Sequence, residues 1–188
     1  MPVHPRAELD EMVQRWLDAN AACEETGDWG PLAEMYTPDA TYGWTFGAKE
    51  EFMAVGREEI RTIALGSEMA GLDGWQYPYE EMLVDEVKGQ VIGIWRQIAD
   101  APRPDGGRYE VAGIGGSWFR YAGDFQWSWQ RDWFDFGNAA DLFLQMMTDG
   151  TLSEGMTRRM ERSAAGSLPG HYRRGTAPVG QWDRPAHE

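Results

Sequence analysis

The densest group of side chains able to do chemistry is FQWSWQRDWFDFGN, residues 125–138. Three tryptophans, an Arg131-Asp132 pair and a further carboxylate, Asp135, share this one short run. An Asp enclosed by aromatic rings loses hydration, so its carboxyl titrates higher than usual and can give or take a proton near neutral pH. A hydroxyl such as that of Tyr42 or Tyr121 can donate the hydrogen bond that steadies oxyanion charge developing on a substrate. The same run also reads as a hydrophobic wall or a partner surface, with Asp132 tied to a cation or a backbone amide. Other chemistries find few residues. Cys23 is the lone cysteine, and the histidines, His4, His171 and His187, lie near the ends. No acids take ligand spacing around a histidine, so no metal is expected. GIGGS (113–117) has a strand context without a following helix, unlike a nucleotide loop. With no cofactor expected, acid–base work remains: elimination, isomerisation, cyclisation or hydration.

The elements that must position these residues change character along the chain. Leu9, Met12, Val13, Trp16, Ala19 and Cys23 recur at helical spacing and predict an amphipathic helix over 7–25. GDWG breaks it, and Pro31 suits the first turn of a short helix ending near Tyr36. ATYGWTF (40–46) alternates as a half-buried strand does, with Asp39 a turn residue before it. A helical pattern returns over 56–69. Four strands are then expected, at 75–87, 90–99, 108–121 and 124–136, separated by Gly- and Pro-bearing turns. Helical patterns at 139–148 and 153–165 follow. Arg158, Arg159 and Arg162 of the second are expected to point outward. Helices first and a meander afterwards predict an α+β chain: a cone-shaped, curved antiparallel sheet with N-terminal helices on its concave face and extra C-terminal helices. The expected divisions are a cone domain at 1–138, a helical extension at 139–166 and an extended tail at 167–188.

Composition sets outer bounds. The chain has 188 residues, 42% of them hydrophobic and 13% aromatic, which suits a packed core rather than a disordered segment. Its formal charge of -14 disfavours nucleic-acid backbones and anionic membrane surfaces as partners. A single cysteine and no long apolar run lead to the expectation of a cytoplasmic protein.

VQRW (13–16), EMYTPDATYGW (34–44) and GREEI (56–60), in this order, resemble the nuclear transport factor 2-like superfamily, over roughly the first three quarters of the chain. That superfamily includes ketosteroid isomerases, scytalone dehydratases, limonene epoxide hydrolases and polyketide cyclases. The isomerases' Tyr, base and second acid fall here on Trp16, Trp44 and Ser117, and the dehydratases' histidines are missing, so neither activity is implied. The epoxide hydrolases' Arg and Asp fall on Trp95 and Gln97. Their final-strand motif survives as QRDWFD (130–135), which implies that Asp132 is a cavity acid.

The resemblance also sets strand parity, because side chains alternate across a sheet. With Asp132 inward, Gln126, Ser128, Gln130, Phe134 and Phe136 follow it. Phe125, Trp127, Trp129, Arg131, Trp133 and Asp135 take the outer face, where the resemblance implies a homodimer interface. Gly113, Gly115, Ser117, Phe119 and Tyr121 turn inward on the preceding strand, the glycines leaving room for a ligand or marking a bend. The expected site has Asp132, Tyr42 and Tyr121 as catalytic groups. Trp16, Trp44, Trp95, Gln97, Ser117, Phe119, Gln130 and Phe134 form its substrate wall. Such a wall suits a flat aromatic or polycyclic ligand with hydroxyl or carbonyl groups. The expected activity is a cofactor-independent lyase or isomerase on a hydroxylated aromatic, such as a lignin-derived dimer. The alternative is a non-catalytic hydrophobic-ligand carrier or accessory subunit.

Overall fold

The computed structural model describes residues 4–166 and 168–183. Helix α1 (Arg6–Thr26) ends at Gly27, whose φ of 71° only glycine adopts freely and whose N–H caps the Cys23 carbonyl. A 3-10 turn (Gly30–Met35), opened by Pro31, leads into β1 (Tyr36–Phe46), which turns back as β2 (Glu50–Val55). A short α2 (Arg57–Glu59) continues as a π-helical segment, Ile60–Ser67, closed by the bond from Glu68 N–H to the Ile63 carbonyl. Then come β3 (Trp75–Gln76), β4 (Tyr79–Asp85), β5 (Gln90–Trp95), β6 (Ile98–Pro102), β7 (Arg108–Glu110), β8 (Gly115–Tyr121) and β9 (Trp127–Trp133). Helices α3 (Phe136–Thr148) and α4 (Glu154–Ala165) follow, capped by the side chains of Asp135 and Ser153, and β10 (His171–Arg173) comes last.

The expected α+β architecture is present. The main sheet has seven strands in the order β10-β2-β1-β9-β8-β5-β4, antiparallel throughout except for the parallel pair β1/β9. A smaller sheet, β3-β6-β7, repeats the neighbour order of β4, β5 and β8. The expected strands 75–87, 90–99 and 108–121 therefore each split in two, at Tyr77-Pro78, Arg96-Gln97 and residues 111–114, where the chain passes between the sheets. Two causes are local: Pro78 lacks an N–H for the ladder, and Gly113 adopts a φ of 107°. Strands β2 and β10 were not expected from the sequence. Pro38 and Asp39 lie inside β1 rather than before it, across an irregular stretch between Tyr36 and Thr41.

One core fills the concave face of the main sheet, with Leu9, Met12 and Trp16 of α1 packed on Phe119 and Trp127. A second lies where Trp75 and Tyr109 meet Leu142 and Met146 of α3 and Met156 of α4.

Strand parity holds for Gln130, Asp132 and Phe134 but fails before them. The β8/β9 ladder pairs Arg120 with Trp129 and Tyr121 with Trp127, leaving Ser128 as a bulge. The extra residue flips the faces upstream. Trp127 consequently belongs to the inner core, fully buried, with its ring 4.8 Å from Phe119. Phe125 packs under Arg15 of α1, Ser128 bonds the Arg120 carbonyl, and the Gln126 amide donates to the Glu34 carbonyl. The outer face keeps Trp129, Arg131 and Trp133, and the chain's own tail covers two of them. Trp129 Nε1 donates to the Asp183 carbonyl at 2.9 Å, and Arg131 Nε donates to the Gln181 carbonyl at 2.9 Å. Trp133 remains 39% exposed.

Candidate active site

The concave face encloses a cavity of about 460 Å³ between the sheet, α1, the π-helical segment and helices α3 and α4. Asp132 opens onto it from β9. Parallel pairing sets Tyr42 of β1 opposite Gln130, and Trp44 opposite Asp132, so the Tyr42 phenol lies one diagonal from the carboxylate. It donates to Asp132 Oδ2 at 2.5 Å. Gln130 Nε2 donates to Oδ1 at 2.8 Å. The Tyr36 hydroxyl donates to Gln130 Oε1, which fixes the amide with its NH₂ group toward the carboxylate. On β8, Ser117 Oγ accepts from Trp95 Nε1 at 2.9 Å, which frees its own proton for an acceptor beside it.

Burial pushes Asp132 up to about 6. Hydrogen bonds from Gln130, Tyr42 and Ser117, and then the charge of Arg131, pull the other way without restoring an ordinary value. Asp132 retains some accessible surface although protein surrounds it, because its exposure is to the cavity. Burial, followed by the neighbouring Asp132 charge, raises the Tyr42 and Tyr36 phenols well above their usual range, and both stay protonated donors at any physiological pH. Tyr79 is raised likewise, and its hydroxyl accepts from Trp16 Nε1 at 3.0 Å. Arg131, on the other face of β9, is lowered to about 10, by burial first. The result is a carboxyl that exchanges its proton near neutrality, held among hydroxyls that do not. It can act as general acid or general base on a ligand in the cavity.

Most of the expected wall meets here. Trp16, Trp44, Trp95 and Phe134 supply apolar surface, while Gln97, Ser117 and Gln130 supply polar tips. Two expected members stand elsewhere. Phe119 is fully buried behind the wall, 5.0 Å from the Trp16 ring. Tyr121 lies four residues along β8 from Ser117, roughly 13 Å away at strand rise. Its hydroxyl donates to Glu8 Oε1 at 2.5 Å and accepts from Phe125 N–H, so it closes the packing against α1 and does not reach Asp132. The glycines of β8 accommodate protein rings rather than a ligand. A Cβ on Gly115 would stand 2.1 Å from the Trp95 ring, and one on Gly116 would stand 2.0 Å from Trp133.

Residues that sequence reasoning missed are Tyr36, Tyr77 and Tyr79 on the sheet side, and Glu68 and Arg159 from the helices. Tyr36 shares the parity of Tyr42 and Trp44 once β1 is extended to include it. Tyr79 faces Trp95 across the β4/β5 ladder, so an inward Trp95 carried the signal. Arg159 was expected to point outward and instead turns onto the cavity. Among the described residues no cluster of three or more His, Cys, Asp or Glu is arranged to hold a metal ion. No helix there is long and apolar enough to cross a membrane. His187 lies outside the described residues.

No family model and no curated protein matches the chain. Solved structures do. A Shewanella putrefaciens protein described as a SnoaL-like polyketide cyclase superposes with a TM-score of 0.54 at 14% identity, over 76% of this chain and 88% of its own. An NTF2-like protein of Anabaena variabilis gives 0.52 at 20% identity, over 72% and 95%. The chain has the nuclear transport factor 2-like fold. TerC, co-crystallized with polyporic acid, shares this nuclear transport factor 2-like fold with a TM-score of 0.51 at 13% identity, over 72% of this chain and 97% of its own.

Proposed function

We propose that this protein is a cofactor-independent lyase or isomerase that acts on a hydroxylated aromatic or polycyclic small molecule. The observation that carries the reading is Asp132: a carboxyl titrating near neutrality, bonded by Tyr42 and Gln130, at the wall of an aromatic cavity. A cavity of about 460 Å³ falls within the ordinary range for small-ligand sites and suits two fused or linked rings. Lignin-derived aromatic dimers are one substrate class of that size. In such a substrate Asp132 removes the proton beside the breaking bond; once that carboxyl is protonated it no longer needs the Tyr42 proton, and the phenol turns to donate to the oxygen on which negative charge gathers. The polyporic acid found with TerC supports a small organic ligand for this cavity as well.

The test is turnover. Phenolic aromatic dimers and polycyclic phenols incubated with the protein and followed by mass spectrometry should yield a product. Asp132→Asn should lower the rate by roughly 10²- to 10⁴-fold. Undiminished turnover in that variant would remove Asp132 from the mechanism. Tight binding with no conversion of any member would make the protein a carrier. A homodimer through the outer sheet face also belongs to this reading, supported by the exposure of Leu83, Trp133 and Trp182 there. Sedimentation showing only monomer at micromolar concentration would exclude it.

A further inference from the structure

We infer that the cavity has a second polar pole, centred on Arg159, that takes the carboxylate of an aromatic acid whose hydroxyl or carbonyl end rests at Asp132. This deepens the proposed function and rests on an aromatic ligand occupying the cavity. Arg159 is the one Lys, Arg or His side chain that lines the cavity among the described residues, in a chain of net charge -14. It is well packed, with only 19% of its side chain exposed. Among the described residues its hydrogen bonds both go to Glu68: one to the backbone carbonyl, and one at 3.5 Å to the carboxylate.

A guanidinium carries five N–H donors, so about three have no protein acceptor among the described residues. The Glu68 carboxylate is more closely engaged elsewhere, with Oε1 3.0 Å from His171 Nε2. His171 itself is seated against the Phe46 and Phe52 rings, which fixes the far side of Glu68. Glu68 thus orients the guanidinium without using up its donors. One turn along α4, Ser163 lines the same cavity at i+4 spacing and offers a hydroxyl beside Arg159. An anion there finds a charged fork and a neutral donor together.

The two poles also fix orientation. A carboxylate placed at Asp132 would meet a second carboxyl with no Lys, Arg or His beside it in the lining, whereas at Arg159 it meets a cation, next to a Glu68 carboxylate that His171 also engages. Trp44, Phe134 and Phe143 line the same cavity and supply apolar surface for the rings. A neutral phenol uses only the first pole, and its carboxylated counterpart uses both.

The test measures binding by calorimetry, not turnover. The probes are a hydroxynaphthoate and a hydroxybiphenyl carboxylate, which cover two spans, each paired with the parent phenol lacking the carboxylate. At least one acid should bind the wild type roughly 10- to 100-fold more tightly than its phenol, and added salt should weaken the acid alone. Arg159→Met should erase that preference while leaving phenol affinity within about threefold, and Arg159→Lys, which keeps the charge, should recover most of it. Phenols that bind with no preference for either acid overturn this inference and leave the proposed function standing. An equal loss of acid and phenol in Arg159→Met, with no recovery in Arg159→Lys, overturns it too and makes Arg159 a strap for α4. Failure of all four probes to bind removes the aromatic-ligand reading and the second pole together.

Discussion

Replacing Asp132 by Asn should change the pH dependence of stability in a way that isolates this one carboxyl. In the folded chain burial pushes it up to about 6, against 3.8 for an ordinary Asp. Between those values the folded state holds a proton that the unfolded chain has released, so stability falls as pH rises; above about 6 both states are ionised and the penalty is constant. A gap of about two units corresponds to about 3 kcal/mol at neutral pH, of which about 2 kcal/mol accrues between about pH 4.5 and pH 8. Asn does not titrate in this range. Its amide does bring one cost: with Oδ1 accepting from Tyr42, Nδ2 faces the Gln130 NH₂ group, donor against donor. That cost does not vary with pH, so the slope is the diagnostic and the absolute offset is not. Urea unfolding of both proteins across this range should show the variant gaining on the wild type by about 2 kcal/mol, with other titrating groups cancelling in the difference. A difference flat to within about 0.5 kcal/mol would refute the account of Asp132 as a desolvated, cavity-facing acid.

Two further pairs of substitutions test the geometry. Gly115→Ala forces a methyl into the Trp95 ring, which is buried and anchored by its bond to Ser117, and should cost about 1–3 kcal/mol and weaken ligand binding. Gly116→Ala meets Trp133, which is half exposed and can swing outward, so it should cost under about 1 kcal/mol in the same melts. Trp127→Ala should cost about 3–5 kcal/mol as a core truncation. Trp133→Ala should cost under about 1 kcal/mol in monomer stability; the reverse order would contradict the bulge at Ser128.

The order of elements was legible because its signals are local: helical spacing in 7–25, alternation in 40–46, and turn residues between the later strands. The cavity-facing places of Asp132, Tyr42, Trp44 and Trp95 followed from alternation within the regular stretches of their strands and from the surviving QRDWFD. Each misplacement has an unpatterned cause. The bulge at Ser128 carries no sequence signature, yet it exchanged the faces of Phe125 and Trp127. Tyr121 shares the parity of Ser117, but alternation gives the face and not the position along the strand. The Gly-, Pro- and Arg-rich sequence reads as an extended tail, but where strand β10, Gln181 and Asp183 dock on the sheet does not follow from it. Their order comes from pairing with β2 and from bonds to Trp129 and Arg131, partners distant along the chain. Arg159 was hidden for the same reason: an arginine on an amphipathic helix reads as solvated until Glu68 is folded beneath it.

The central claim is that Asp132 exchanges its proton near neutrality inside an aromatic cavity. The most direct measurement is the titration of its side-chain carboxyl carbon by ¹³C NMR in protein labelled at Asp, with Asp132→Asn assigning the resonance. The expected midpoint for this carbon is about 6. A midpoint near 4, the value of an ordinary solvated Asp, would contradict it.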